Sequence, residues 1–160
     1  MASEITEEMA VEIYQHLLDK ICAAYFENDF DAFQNALHVP HRYSTKGNEQ
    51  LITTCAQMKE AFDAFRGYLK GLGVTDFIRI CTGAAVLTPT KIIASHTTEL
   101  LRNGNRLRDP YEVWATLEFI EGTWRVTSSE NAINDTSWQA MAFRQGATLK
   151  DTPRPARTEQ

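Results

Sequence analysis

The stretch KIIASHTTELLRNGNRLRDPYEVWATLEFIEGTWRV, residues 91–126, decides the fold. Polar and apolar residues alternate through it with the period of two that a half-buried strand requires. It is broken at Asn103-Gly104-Asn105-Arg106 and at Glu121-Gly122-Thr123. Asn-Gly is the strongest short hairpin signal, because the favoured two-residue turn needs positive φ at both central positions. Working outward, the spacing predicts strands over 74–86, 91–102, 107–120 and 124–131. Pro89 belongs to the turn between the first two, since its missing amide hydrogen would interrupt a central ladder. Long strands joined by short turns make an antiparallel meander. On the third strand Tyr111, Val113, Ala115, Leu117 and Phe119 share one face, and Glu112, Trp114, Thr116, Glu118 and Ile120 the other.

Upstream the period is helical. Residues 5–27 carry a stripe of Met9, Ile13, Leu17, Ile21 and Ala24, widened by Ala10, Tyr14, Leu18 and Tyr25. Asn28 and Asp29 break that helix and cap a short second one with Phe30, Phe33 and Leu37 on one side, ended by Pro40. A strand over 41–45, a turn at Lys46-Gly47-Asn48 and a short strand around 50–53 follow. Thr54-Cys-Ala-Gln57 has the spacing of a capping box and opens a third helix to about Leu69, buried through Met58, Ala61, Phe62, Phe65 and Leu69. Ala132 to Met141 reads either as a short extension or as a last turn of helix. From Gln145 the apolar pattern stops. A single domain over 1–144 and a flexible tail over 145–160 are therefore expected. Helices followed by a sheet make the fold class α+β.

Composition narrows the function. The 160 residues are 43% apolar and carry a formal charge of −5 without a basic cluster interleaved with aromatics, so no nucleic acid partner is expected. No apolar run reaches the ~20 residues a bilayer demands, so no membrane partner is expected either. The acidic start lacks the basic-then-apolar order of a signal peptide, and three scattered cysteines, Cys22, Cys55 and Cys81, read as buried thiols; the expected location is cytoplasmic. His16, His38, His41 and His96 form no metal-ligand spacing, no glycine-rich phosphate loop follows a strand, and no Gly-x-Ser-x-Gly elbow occurs. Neither metal nor cofactor is expected.

The order helix, short helix, hairpin, helix and long meander resembles the nuclear-transport-factor-2-like superfamily, which includes ketosteroid isomerase, scytalone dehydratase and the SnoaL-like cyclases. Asn28-Asp-Phe-Asp-Ala-Phe33 looks like that group's junction between its first two helices, and Glu121-Gly-Thr-Trp-Arg-Val126 like the start of its last strand. The likeness covers about residues 5–135. It implies a cystatin-like, cone-shaped roll: three N-terminal helices packed against a strongly curved, mainly antiparallel sheet, with a pocket at the wide end. It also implies a homodimer formed through the outer sheet faces.

Proton-transfer members of the group place a base and hydrogen-bond donors in the pocket. The helix tyrosine of ketosteroid isomerase falls near Ile21 here and its aspartate near Ser44 or Thr45, so that mechanism is not expected. His41, Tyr43 and His96 are the catalytic candidates: His41 and Tyr43 share a strand face, as do His96 and Thr98. Tyr14, Tyr25, Asp109 and Trp114 are the candidate ligand-binding residues, although Asp109, before Pro110, could serve only a turn. Glu99 and Glu130 read as solvated. The functional expectation is an acid–base isomerase, dehydratase or cyclase for a hydrophobic small molecule; the alternative is a non-catalytic ligand-binding or dimeric assembly domain.

Overall fold

Thr6 opens α1 (Glu7–Glu27) by accepting the Met9 amide at 3.1 Å, and Asn28 closes it in the left-handed region at φ 57°. Asp29 then caps α2 (Phe30–Ala36) through the Ala32 amide at 3.1 Å. The structure, a computed structural model, describes residues 4–45 and 48–131. The expected extension over 132–141, the domain end at 144, the tail over 145–160 and most of the 46–48 turn lie outside the described residues.

The remaining elements are β1 (Leu37–Thr45), β2 (Asn48–Ile52), α3 (Cys55–Leu72), β3 (Asp76–Thr88), β4 (Lys91–Arg102), β5 (Asn105–Arg106), β6 (Tyr111–Ile120) and β7 (Thr123–Asn131). Thr54 caps α3 by accepting the Gln57 amide, while the Gln57 side chain accepts the Thr53 amide at 2.8 Å. Both hairpin turns have the required geometry, with positive φ at Asn103 and Gly104 and again at Glu121 and Gly122.

The sheet runs β2-β1-β7-β6-β4-β3, with the two-residue β5 beside β4. Every pairing is antiparallel except β1 with β7, where Leu37 lies opposite Val126 and Tyr43 opposite Ser129. Register shifts at Cys81/Gly83 in β3, at Leu37/Arg42 in β1 and beside Thr116/Leu117 bend the sheet. Its concave face receives α1, which buries Ala10, Tyr14, Leu17, Leu18, Ile21, Ala24 and Tyr25. Gln15 fastens the helix to the outer strand β3: its Nε2 donates to the Arg79 carbonyl at 3.0 Å and its Oε1 accepts the Cys81 amide at 2.8 Å.

Several expectations need correction. Leu37 begins β1 instead of ending α2, so the strand starts four residues before His41 and runs through Pro40. Met9 is exposed, since the stripe that faces the sheet is centred on Tyr14 and Leu18. Cys55, the first residue of α3, is exposed, while Cys22 and Cys81 are half-buried; all three are free thiols. No helix among the described residues is long and apolar enough to cross a membrane.

Candidate functional site

Alternation on the strands and the turn of α1 bring one set of side chains together. Tyr14, Leu18, Ile21 and Tyr25 descend one helix face, at the i, i+4, i+7 and i+11 positions that stack along a helix. Opposite them, β4 directs His96 and Thr98 inward, β1 His41 and Tyr43, β7 Val126, Ser129 and Asn131, and β3 Phe77 and Arg79. Between helix and sheet lies a cavity of about 60 Å³, whose lining includes Tyr14, His41, Tyr43, Arg79, His96, Ser129 and Asn131. One water needs ~10–15 Å³, so the space takes several waters, and because it is partly open a larger molecule can extend beyond it. Its C-terminal end along α1 is closed by aromatic packing, in which Tyr25 stacks on Phe62 at 5.3 Å between centroids and meets Phe33 and Phe65 at 5.0 and 4.8 Å.

The polar end is organised by a buried hydrogen-bond chain. Tyr14 Oη lies 2.6 Å from His96 Nδ1, and His96 Nε2 lies 3.0 Å from Thr98 Oγ1. Burial, with the Arg79 charge adding to it, lowers the His96 pKa to about 2, so the ring is neutral and carries one hydrogen. Two arrangements satisfy the chain. With hydrogen on Nε2, the ring donates to Thr98 and accepts from Tyr14. With hydrogen on Nδ1, it donates to Tyr14 and accepts from Thr98, which frees the Tyr14 hydrogen for a group in the cavity. The Tyr14 hydroxyl can therefore answer either an acceptor or a donor. Burial raises its own pKa, against a smaller opposing pull from Arg79, so it acts as a neutral phenol.

His41 is held differently. Its Nδ1 is 3.3 Å from the Val126 carbonyl, an acceptor only, so Nδ1 carries the hydrogen and Nε2 keeps its lone pair. Burial lowers its pKa to about 4; the bond to Val126 opposes that shift, and His38 adds slightly to it. Asn131 Nδ2 donates to the Ser44 carbonyl at 3.4 Å, tying the end of β7 to β1.

The structure thus gathers His41, Tyr43, His96, Tyr14 and Tyr25 around one cavity and leaves two candidates outside it. Asp109 is exposed in the connection before β6, where Pro110 follows it. Trp114 is 48% exposed on the convex face, because it alternates with the inward Val113 and Ala115. Both ring nitrogens of His96 are engaged, so His96 positions the Tyr14 hydroxyl instead of offering a free base. Ile21 does line the cavity, and Ser44 bonds the Ser129 carbonyl from the other face. Glu99 is ion-paired with Arg106 at 2.6 Å, and Glu130 is exposed. Arg79, Ser129 and Asn131 were not anticipated. The available signal for Arg79 was its phase, two residues from Phe77 on a strand whose odd positions face the core as far as Gly83. Among the described residues, no group of three His, Cys, Asp or Glu side chains converges as metal ligands would.

No family model matches the sequence, and no curated protein matches it. Solved structures do match in shape. An NTF-2 like protein of unknown function from Shewanella oneidensis MR-1 superposes with a TM-score of 0.62 at 13% identity, over 78% of this chain and 100% of that one. A protein of unknown function with a cystatin-like fold from Nostoc punctiforme PCC 73102 gives 0.61 at 10% identity, over 82% and 96%. An NTF2-like protein with a cystatin-like fold from Novosphingobium aromaticivorans gives 0.57 at 17% identity, over 82% and 86%. The chain has the NTF2-like, cystatin-like fold. At such identities the likeness extends to the fold, and the site has to be argued from its own residues.

Proposed function

We propose that the cone binds a small, largely apolar molecule and grips one oxygen of it with the Tyr14 hydroxyl. The observation that carries this reading is the buried Tyr14–His96–Thr98 chain in the wall of an otherwise mostly apolar cavity. Burying three polar side chains there costs stability unless they are satisfied, and a chain with two equivalent proton arrangements keeps one hydroxyl ready for a ligand. A second reading, an acid–base step such as isomerisation or dehydration, is favoured by His41, a neutral imidazole in the same wall whose Nε2 retains its lone pair.

Both readings meet in one experiment with acetophenone and ethylbenzene, which differ by a carbonyl oxygen. Wild-type protein is expected to bind acetophenone, and Tyr14→Phe to weaken it about five- to tenfold, the worth of one net hydrogen bond, with ethylbenzene unaffected. Titration followed by amide chemical shifts checks this; equal binding of acetophenone by both proteins would remove Tyr14 from the site. The same samples in deuterated water report exchange of the ketone's α-hydrogens. Exchange that disappears in His41→Gln supports the catalytic reading, and no exchange leaves a binding protein.

We also propose that a second copy packs on the convex sheet face. Trp114 and Ile93 lie in a shallow groove there, with Glu130 and Arg42 on the neighbouring strands β7 and β1 to one side of them, so a two-fold related copy could set acid against base. Trp114→Glu is expected to turn a dimer into a monomer in sedimentation equilibrium; a wild-type protein that is already monomeric at high concentration rules the contact out.

A further inference from the structure

The cavity wall holds a cation that no acidic side chain pairs among the described residues. Arg79 faces inward from β3 opposite Thr98, and its guanidinium lies over the Phe77 ring at 4.4 Å. The ion pairs among the described residues join Arg42 to Glu49, Lys59 to Asp63 and Arg106 to Glu99; Arg79 takes part in none of them. Its Nε is buried and has no hydrogen-bond partner among the described residues. No Asp or Glu stands among the described lining residues, and the two histidines there are neutral, so Arg79 is the net charge of the cavity. That charge reaches the polar end, where it acts on both Tyr14 and His96. A half-buried guanidinium with an open donor is costly to leave unmatched, and its planar fork suits a carboxylate.

We infer that the ligand of this cone is a small aromatic or alicyclic carboxylate, its carboxylate between the Arg79 guanidinium and the Tyr14 hydroxyl and its ring against Leu18, Ile21 and Val126. The inference rests on the cone binding a small molecule, as proposed above, and adds the charge of that molecule. An anion also selects one state of the hydrogen-bond chain, the one in which His96 donates to Tyr14 and Tyr14 donates to the ligand.

Benzoate and benzamide share a shape and differ in charge at neutral pH. Calorimetric titration of the wild type should give benzoate at least about tenfold tighter than benzamide, as a charge-assisted hydrogen bond implies. Arg79→Gln should bring the ratio close to one through loss of benzoate affinity alone, and Arg79→Lys should keep most of it. If both compounds bind but the wild-type ratio is near one, or survives Arg79→Gln, the charge inference fails while the cone remains a ligand site. If neither compound binds the wild type, the ligand site and the inference fall together. The wild-type ratio decides even if Arg79→Gln does not fold.

Discussion

Acidification from about pH 7 to about pH 4 is expected to remove about 6 kcal/mol of stability, some 3 from each of two histidines. His41 and His96 are buried as neutral rings, with folded pKa values lowered from 6.5 to about 4 and about 2. Below 6.5 the unfolded chain takes up a proton at each that the folded chain refuses. Their contribution is therefore whole above the unfolded value and shrinks as pH falls, ending near 4 for His41 and continuing lower for His96. A domain with ~5–15 kcal/mol in hand should lose a large share of it by about pH 4, and unfold there if it starts at the low end. Urea midpoints measured in steps of pH check this, and His96→Asn should lower the slope by about one proton. A flat profile between about pH 7 and 5 would mean that these rings are not buried neutral.

Phe62→Ala should cost about 3–5 kcal/mol. Phe62 is fully buried and holds the aromatic cluster together, with ring centroids 4.8 Å from Phe33, 5.3 Å from Tyr25 and 5.4 Å from Phe30. Removing it loses both apolar burial and several ring contacts worth ~0.5–1.5 kcal/mol each. It also opens space at the end of the cavity that Tyr25 now closes. Chemical denaturation gives the number, and a loss below about 1 kcal/mol would show the cluster to be loosely packed.

The elements that sequence predicts well here are those with local causes. Asn103-Gly104 and Glu121-Gly122 demand left-handed backbone, so both hairpins and the β4 boundaries are readable from neighbouring residues. The parallel pairing of β1 with β7 has no local cause, since it joins residues such as Tyr43 and Ser129 that only the closed roll brings together. Leu37 shows the ambiguity of an apolar residue at a helix end: it continues the face of Phe30 and Phe33, yet its burial is met equally well opposite Val126.

At the site, parity did most of the work. His41 with Tyr43 and His96 with Thr98 are spaced by two, and each pair does face one way. Parity also places Trp114 opposite to Val113, but which face was inward required the helix to be seated. Asp109 precedes the strand, where no alternation constrains it. Arg79 is in phase with Phe77, but its charge suggests solvent; only the assembled wall shows it inward with no carboxylate beside it among the described residues. The Tyr14 partner of His96 was equally hidden, since it lies 82 residues away in sequence.

The amide of Gln15 has a further effect at the rim of the sheet. An outermost strand normally offers a row of unused backbone donors and acceptors, the template on which foreign chains zip up into aggregates. Here one side-chain amide occupies the Arg79 carbonyl and the Cys81 amide as a neighbouring strand's peptide group would. The middle of β3 is thereby blocked against strand addition, although its convex side exposes Ile78 and Ile80. A single glutamine in α1 thus occupies the edge where an adhesive strand bearing Ile78 and Ile80 would otherwise lie open.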